Sequence, residues 1–315
     1  MIFIEDFADG ERIIAHYLCK KKESLKTKAG KSYISMVLAD KTGTIDAKVW
    51  NINHDIQNFE AGDFIKIEAE IITYQDELQL RVLKIRRSVS GEYSPENYIP
   101  ATDKDVDGLL RQISALISSI EDEYIRALVE SIFAQPEIAA AFPTHTAAKY
   151  MHHSYLGGLC EHILSVAQIC DFLAPRYKFV NRDLLIAGAL LHDIGKIHEL
   201  SSLPENDYTD DGQLIGHIVI TAQMIGVHAA KIPGFPKQLE SLIVHSVVSH
   251  HGKHEWGSPK LPKTIEACIL HCADNMDANI KMFEEALEKS EKSTNQGEWV
   301  GYNRVLARNI RKSNF

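Results

Sequence analysis

The sequence predicts two domains of different class, a small five-stranded β-barrel followed by an all-α bundle. Three observations predict it. Apolar residues alternate with period two over residues 12–87, and the spacing changes to 3.6 from Asp105 onward. Thirteen of the fifteen histidines fall between His145 and His271, and each main candidate sits on a predicted helix. A chain of 315 residues suits about two domains, and 45% hydrophobic residues suffice for a sizeable core.

Composition sets outer bounds. The longest apolar run, Leu184 to Leu191, is eight residues, far short of the ~20 that span a bilayer, so no membrane partner is expected. The opening MIFIEDFADGERI carries acids early and no basic segment, which speaks against a signal peptide. Five cysteines, odd in number and without a CxxC pair, read as reduced thiols in a cytoplasmic protein. The net charge of −9 argues at first against nucleic acid, but it is unevenly spread. Residues 1–90 hold 14 Lys/Arg and 14 Asp/Glu, and residues 91–315 hold 20 against 29. Lys20, Lys21, Lys22, Lys26, Lys28 and Lys31 crowd together with only Glu23 opposing them. Local field steers a polyanion more than net charge does.

The strands follow in order. In KSYISMVLAD, Ile34, Met36 and Leu38 share one face and Tyr33, Ser35 and Val37 the other. DKTGT turns the chain into TIDAKVW, where Ile45, Ala47 and Val49 face inward and Lys48 and Trp50 outward. A short helical stretch is expected around 52–60. DFIKIEAEIITY and ELQLRVLKIRR complete the set, with a turn at Gln75-Asp76. Five strands with a helical connection between the third and fourth are the order of an OB barrel, assigned here to residues 1–88. Its outer face would then carry Tyr33, Lys48 and Trp50, an aromatic and basic platform suited to single strands. Lys26, Lys28 and Lys31 are expected to add charge from the loop after the first strand.

Residues 89–104 are rich in Ser, Pro and charge and read as a linker. Helices are expected across 105–140 and at 160–174, 183–195, 213–231, 238–251 and 264–288, giving an all-α domain over 105–288. The tail, 289–315, is polar and mildly basic without a readable motif. Self-association through the helices at 105–140 and the tail is an expectation without a stoichiometry.

His162, His192, Asp193, His217, His250, His251 and Asp274 each bring an N or O donor to apolar helical surroundings. Bundles build metal sites this way, from inward side chains on facing helices. Imidazole with carboxylate suits Mn, Fe, Co or Zn, and a carboxylate beside a histidine can bridge two ions that activate water and hold the oxygens of a phosphate ester. The order H…HD…H…HH…D, with gaps of 30, 24, 33 and 23 residues, resembles the HD-domain phosphohydrolase superfamily over residues 145–280. The resemblance implies that those seven residues are the ligands of two divalent ions, most simply Mn²⁺ with Co²⁺, Fe²⁺ or Zn²⁺ as alternatives. It implies Asp193 as the bridge, His192 beside it, and Lys196 facing the substrate phosphate. The histidine doublet favours a two-metal variant and leaves open which of its members binds more directly. His152 and His153 are candidates for substrate contact or general acid, His198 for a proton shuttle, and Asp277 for orienting a ligand. Cys268 and Cys272 are expected in the core.

HHGKHEWGSPKLP departs from the HHExxDGxGYP of cyclic-di-GMP enzymes, and HDIGKI from the HDxxED of tetraphosphate hydrolases. DKTGTIDAKVW and GDFIKIEAEI are similar to OB domains of nucleic-acid enzymes. Together with MHHSYLGGLCEH, LLHDIGK, SHHGKHEWGSP and ADNMDA, the chain resembles the YhaM-type 3′–5′ exoribonucleases along nearly its whole length. That implies metal-dependent hydrolysis of single-stranded RNA, with ssDNA as a further substrate class, to nucleoside 5′-monophosphates. The alternatives are an HD phosphodiesterase or phosphatase for small nucleotides, and a non-catalytic RNA-binding adaptor. The complete ligand set argues against the adaptor.

Overall fold

The computed structural model describes residues 2–27, 30–75, 77–89, 91–94, 97–98, 101–149, 153–202, 206–291, 297–303 and 305–313. The chain divides into two compact units, one running to Ala101 and one beginning at Thr102.

Five strands close the first unit into a barrel: β1 (Arg12–Lys26), β2 (Ser32–Asp40), β3 (Gly43–Val49), β4 (Phe64–Tyr74) and β5 (Glu77–Arg87). Their order around the barrel is β1-β2-β3-β5-β4, with β4 returning to β1 and a parallel β3–β5 seam. This is the OB arrangement. The period-two pattern follows the pleat, so Ile34, Met36, Leu38, Ile45, Ala47 and Val49 are all buried in the barrel core. The β2–β3 turn is tied by Asp40, whose Oδ1 accepts from the Thr42 and Gly43 amides. Gln75 adopts a φ of +52° at the β4–β5 turn, where the register brings Tyr74 opposite Glu77.

Two expectations in this unit are corrected. No helix forms at 52–60. Asn53 Oδ1 accepts the Asp55 amide at 3.0 Å, a local turn that competes with helix formation, and the segment contributes a single bridge from Ile56 to Ile85. Lys20, Lys21, Lys22 and Lys26 are not in a loop, because β1 continues to Lys26, past an irregularity between Cys19 and Lys21, whereas Lys31 does lie in the connection between β1 and β2. Lys28 lies outside the described residues. After β5, Tyr93 and Tyr98 pack on Phe64 with ring centroids 4.3 and 5.3 Å away, and Tyr98 is buried.

The second unit is helical: α1 (Val106–Ser118), α2 (Glu123–Phe133), α3 (Pro136–Ala141), α4 (Gly158–Leu173), α5 (Arg182–Leu191), α6 (Lys196–Glu199), α7 (Asp210–Leu214), α8 (His217–Ala229), α9 (Lys237–Ser249) and α10 (Ile265–Glu291). Leu109, Ile113 and Ile117 bury one stripe of α1 at i, i+4 spacing. α5 is buried along its whole apolar run, capped at its start by Asn181, which accepts the Leu184 amide. The expected 213–231 helix is two helices, broken at Gly216, whose φ is +79°. The tail carries a hairpin the sequence did not announce, β6 (Trp299–Asn303) with β7 (Arg308–Arg311), seated through buried Leu306 and Ile310.

Candidate functional site

Helix ends place the site. His192 and His250 are the C-terminal cap residues of α5 and α9. Each ring donates Nδ1–H to the carbonyl three residues back, His192 to Ala189 at 2.8 Å and His250 to Val247 at 2.7 Å. Carbonyls in the last turn of a helix are short of amide partners, and that of Val247 takes besides only the long bond from the His250 amide at 3.4 Å, so the ring bond completes the helix end and fixes the ring. His217 opens α8, and His162 sits in the first turns of α4. Gly195 lets the HDIG turn approach α8, since a Cβ there would meet the His217 carbonyl at 2.5 Å, and its amide donates to Thr221 Oγ1.

All five rings present Nε2 to one another's neighbourhood because Nδ1 is engaged behind them. His162 Nδ1 donates to Asp277 at 2.8 Å, His217 Nδ1 to Glu199 at 2.9 Å, and His251 Nδ1 to the Trp256 carbonyl at 2.9 Å. A neutral imidazole with this tautomer is a metal ligand. Burial lowers the pKa of His192, His250 and His251, which favours that neutral form.

The Asp193 carboxylate lies at the centre, 2% exposed. Its Oδ2 is 3.4 Å from His162 Nε2 and 3.5 Å from His192 Nε2. Its Oδ1 is 3.3 Å from His217 Nε2 and 3.6 Å from His250 Nε2. Asp274 Oδ1 joins the first group, 3.3 Å from His162 and 3.9 Å from His192. His251 joins the second, its ring centroid 5.4 Å from that of His217 and 4.3 Å from that of His250. The carboxylate thus divides the other six donors into two sets of three, one at each oxygen. Lys196 Nζ reaches Asp193 Oδ2 at 2.5 Å. Burial lowers the lysine's pKa, but the charge and hydrogen bond of Asp193, with the charges of Asp274 and Glu199, together outweigh it and the pKa is raised.

The donors fit divalent cations. Asp193 Oδ1 and His217 Nε2 are buried and, though 3.3 Å apart, neither makes a hydrogen bond. Buried polar atoms are seldom left so. Two trios, His162–His192–Asp193 and His217–His250–His251, hold ligand atoms within 4.8 Å of one another. Against the effect of burial, Asp193, Asp274 and Asp277 raise the His162 pKa well above normal. A cation among the same carboxylates would take the place of that proton.

Other expected residues lie elsewhere. His153 is buried behind His162, between Asp277 Oδ2 at 3.3 Å and the Tyr155 hydroxyl at 2.9 Å. It does not line the cavity above the cluster, and neither does His198. Its position is that of a support for Asp277, whose carboxylate also takes the Ser165 hydroxyl. His152 lies outside the described residues. Cys268 and Cys272 are exposed rather than in the core, because they occupy the outer side of α10. On the barrel, Tyr33 stacks on Trp50 with centroids 4.8 Å apart and planes at 21°. Lys48 donates to Ser35 at 2.6 Å and Lys31 to Asn51 at 2.5 Å, while Lys26 ends β1 opposite Ser32.

The family model of the HD domain matches residues 159–279, and that of the OB-fold nucleic acid binding domain matches residues 20–87. The 3′–5′ exoribonuclease YhaM of Geobacillus sp. (strain WCH70) is 33% identical over 282 residues, 89% of this chain and 86% of that protein. The YhaM proteins of Halalkalibacterium halodurans and Shouchella clausii are 32% and 33% identical over the same share of this chain, and 87% and 88% of their own. The chain belongs to the YhaM 3′–5′ exoribonuclease family. The YhaM match covers 89% of the chain and so takes in residues of both the barrel and the bundle.

Glu199 went unread in the sequence. It lies on a four-residue helix and reaches His217 only through the tertiary fold; its place three residues after Lys196 in HDIGKIHE was the sole signal. Glu199→Gln and Asp277→Asn should each weaken Mn²⁺ binding about 10- to 100-fold in titration calorimetry, the usual effect of losing a residue that orients a ligand. Affinities equal to the unsubstituted protein would contradict the role given to both.

Proposed function

We propose that this protein is a metal-dependent hydrolase that shortens single-stranded RNA from its 3′ end and releases nucleoside 5′-monophosphates. The observation that carries the proposal is the two-sided donor set around Asp193, in a chain whose match to YhaM exoribonucleases covers barrel and bundle alike. His162, His192, Asp193 and Asp274 would hold one ion, and Asp193, His217, His250 and His251 a second. Mn²⁺ is the first choice for mixed imidazole and carboxylate donors. Bound there, two such ions supply an activated water and neutralise the attacking and leaving oxygens of the phosphodiester.

The remaining roles belong to the chain. Asp193 fixes the separation of the two donor sets. Lys196, held at its carboxylate, offers an ammonium to the charge that develops on the phosphoryl oxygens. Its charge is secure at neutral pH, since Asp193 raises its pKa. The rings need no reorganisation, because each is already oriented by its Nδ1 bond. On the barrel, Trp50 presents an exposed ring backed by Tyr33, with Lys26, Lys31 and Lys48 nearby. We assign this face to bases and phosphates of the single strand. No helix among the described residues is long and apolar enough to cross a membrane. The five free cysteines suit a reducing compartment, and we place the protein in the cytoplasm.

A 5′-labelled RNA with a single-stranded 3′ tail, incubated with Mn²⁺, should give a ladder that shortens from the 3′ end together with nucleoside 5′-monophosphates. Asp193→Ala should abolish the ladder and leave RNA retention in a gel-shift assay intact. Turnover by that variant, or turnover of cyclic nucleotides with RNA untouched, would contradict the proposal. Replacing Tyr33 and Trp50 by Ala should weaken binding of the same RNA about 5- to 140-fold, as loss of one stacked base does. A dinucleotide should be cleaved as before; equal losses on both substrates would assign the aromatics to barrel structure.

A further inference from the structure

The metal cluster floors a cavity of about 400 Å³, lined below by His162, Asp193, Lys196 and His250. Asn275 and Ala278 of α10 line it too, and Trp256 stands in its wall. Trp256 is 47% exposed, so its ring does little for the core. It is nevertheless held in place. The Trp256 carbonyl accepts Nδ1–H of His251, and the Trp256 amide donates to the Lys253 carbonyl at 3.1 Å. Gly252, at φ +74°, packs against His271 so closely that a Cβ would meet the imidazole at 2.2 Å. His271 Nδ1 is in turn bonded to the His250 carbonyl at 2.8 Å. The turn that follows the histidine doublet is therefore fixed to the cluster, and it carries an open indole.

We propose that Trp256 is the stacking platform for the base of the nucleotide whose phosphate lies on the metal cluster, and that Lys253 follows it onto that nucleotide's phosphate. This rests on reading the cluster as a phosphodiester site. The Lys253 ammonium now covers one indole face, 4.3 Å from the ring centroid, with its side chain about half exposed. An exposed ammonium over a ring is a weaker contact than a stacked base, so the base takes the face and the displaced lysine meets the phosphate. Stacking also suits the task. An enzyme that removes residues one after another must accept every base, and each base has a π-face to offer. Hydrogen-bond reading of a base edge would stall on the others.

The test uses the full chain with Mn²⁺ and two probes, adenosine 5′-monophosphate and ribose 5-phosphate, which differ only by the base. By calorimetry the nucleotide should bind about 5- to 140-fold more tightly than the sugar phosphate. Trp256→Phe should keep most of that preference and Trp256→Ala should lose it, with ribose 5-phosphate binding alike in all three proteins. Equal affinities in the unsubstituted protein, no binding of the nucleotide, or an intact preference in Trp256→Ala would each overturn the assignment. Neither probe contains a phosphodiester, so their binding is read apart from the RNA-shortening assay, which judges the hydrolytic reading by itself.

Discussion

A carboxylate with 2% exposure is the constraint on which the bundle depends. Burying an unpaired charge costs far more than a domain's margin of stability, so Asp193 is tolerable only among cations or donors. Lys196 and four imidazole edges provide them, and every one comes from an element whose own end or turn is arranged to deliver it. Gly195 and Gly188 mark where that arrangement needs close approach. A Cβ at Gly188 would press on Ser246 of α9 at 3.1 Å, so α5 and α9 lie near enough for their terminal histidines to meet.

The supports behind the rings are of two kinds. His192, His250 and His251 lean on backbone carbonyls, which cannot titrate, whereas His162 and His217 lean on Asp277 and Glu199. One carboxylate-backed ring thus stands in each donor set. A carboxylate behind an imidazole raises its basicity and strengthens the bond it makes in front. Each candidate metal position has one reinforced ligand and others fixed by the fold.

Much of this was legible in the sequence, and the rest was hidden for physical reasons. The barrel showed itself because Ile34, Met36 and Leu38 follow the pleat, and the cluster because histidines at helix ends stand out from apolar runs. The extent of β1 did not show. Its last seven residues, Lys20 to Lys26, are mostly polar and none is buried, so no alternation shows and a strand reads as a loop. The expected helix near 52–60 failed because Asn53 bonds its own backbone. The exposure of Cys268 and Cys272 was not readable either, since i, i+4 spacing defines a face without saying which way it points. Glu199 and the stand of His153 behind His162 depend on contacts between elements far apart in the chain, which no local pattern encodes.

On the proposed function, Asp193 would separate two metal positions. Anomalous diffraction at the manganese edge, from crystals grown with Mn²⁺, tests it most directly. Two peaks are expected, one within bonding distance of Asp193 Oδ2, His162, His192 and Asp274, the other of Asp193 Oδ1, His217, His250 and His251. A single peak, or two peaks without Asp193 between them, would contradict it.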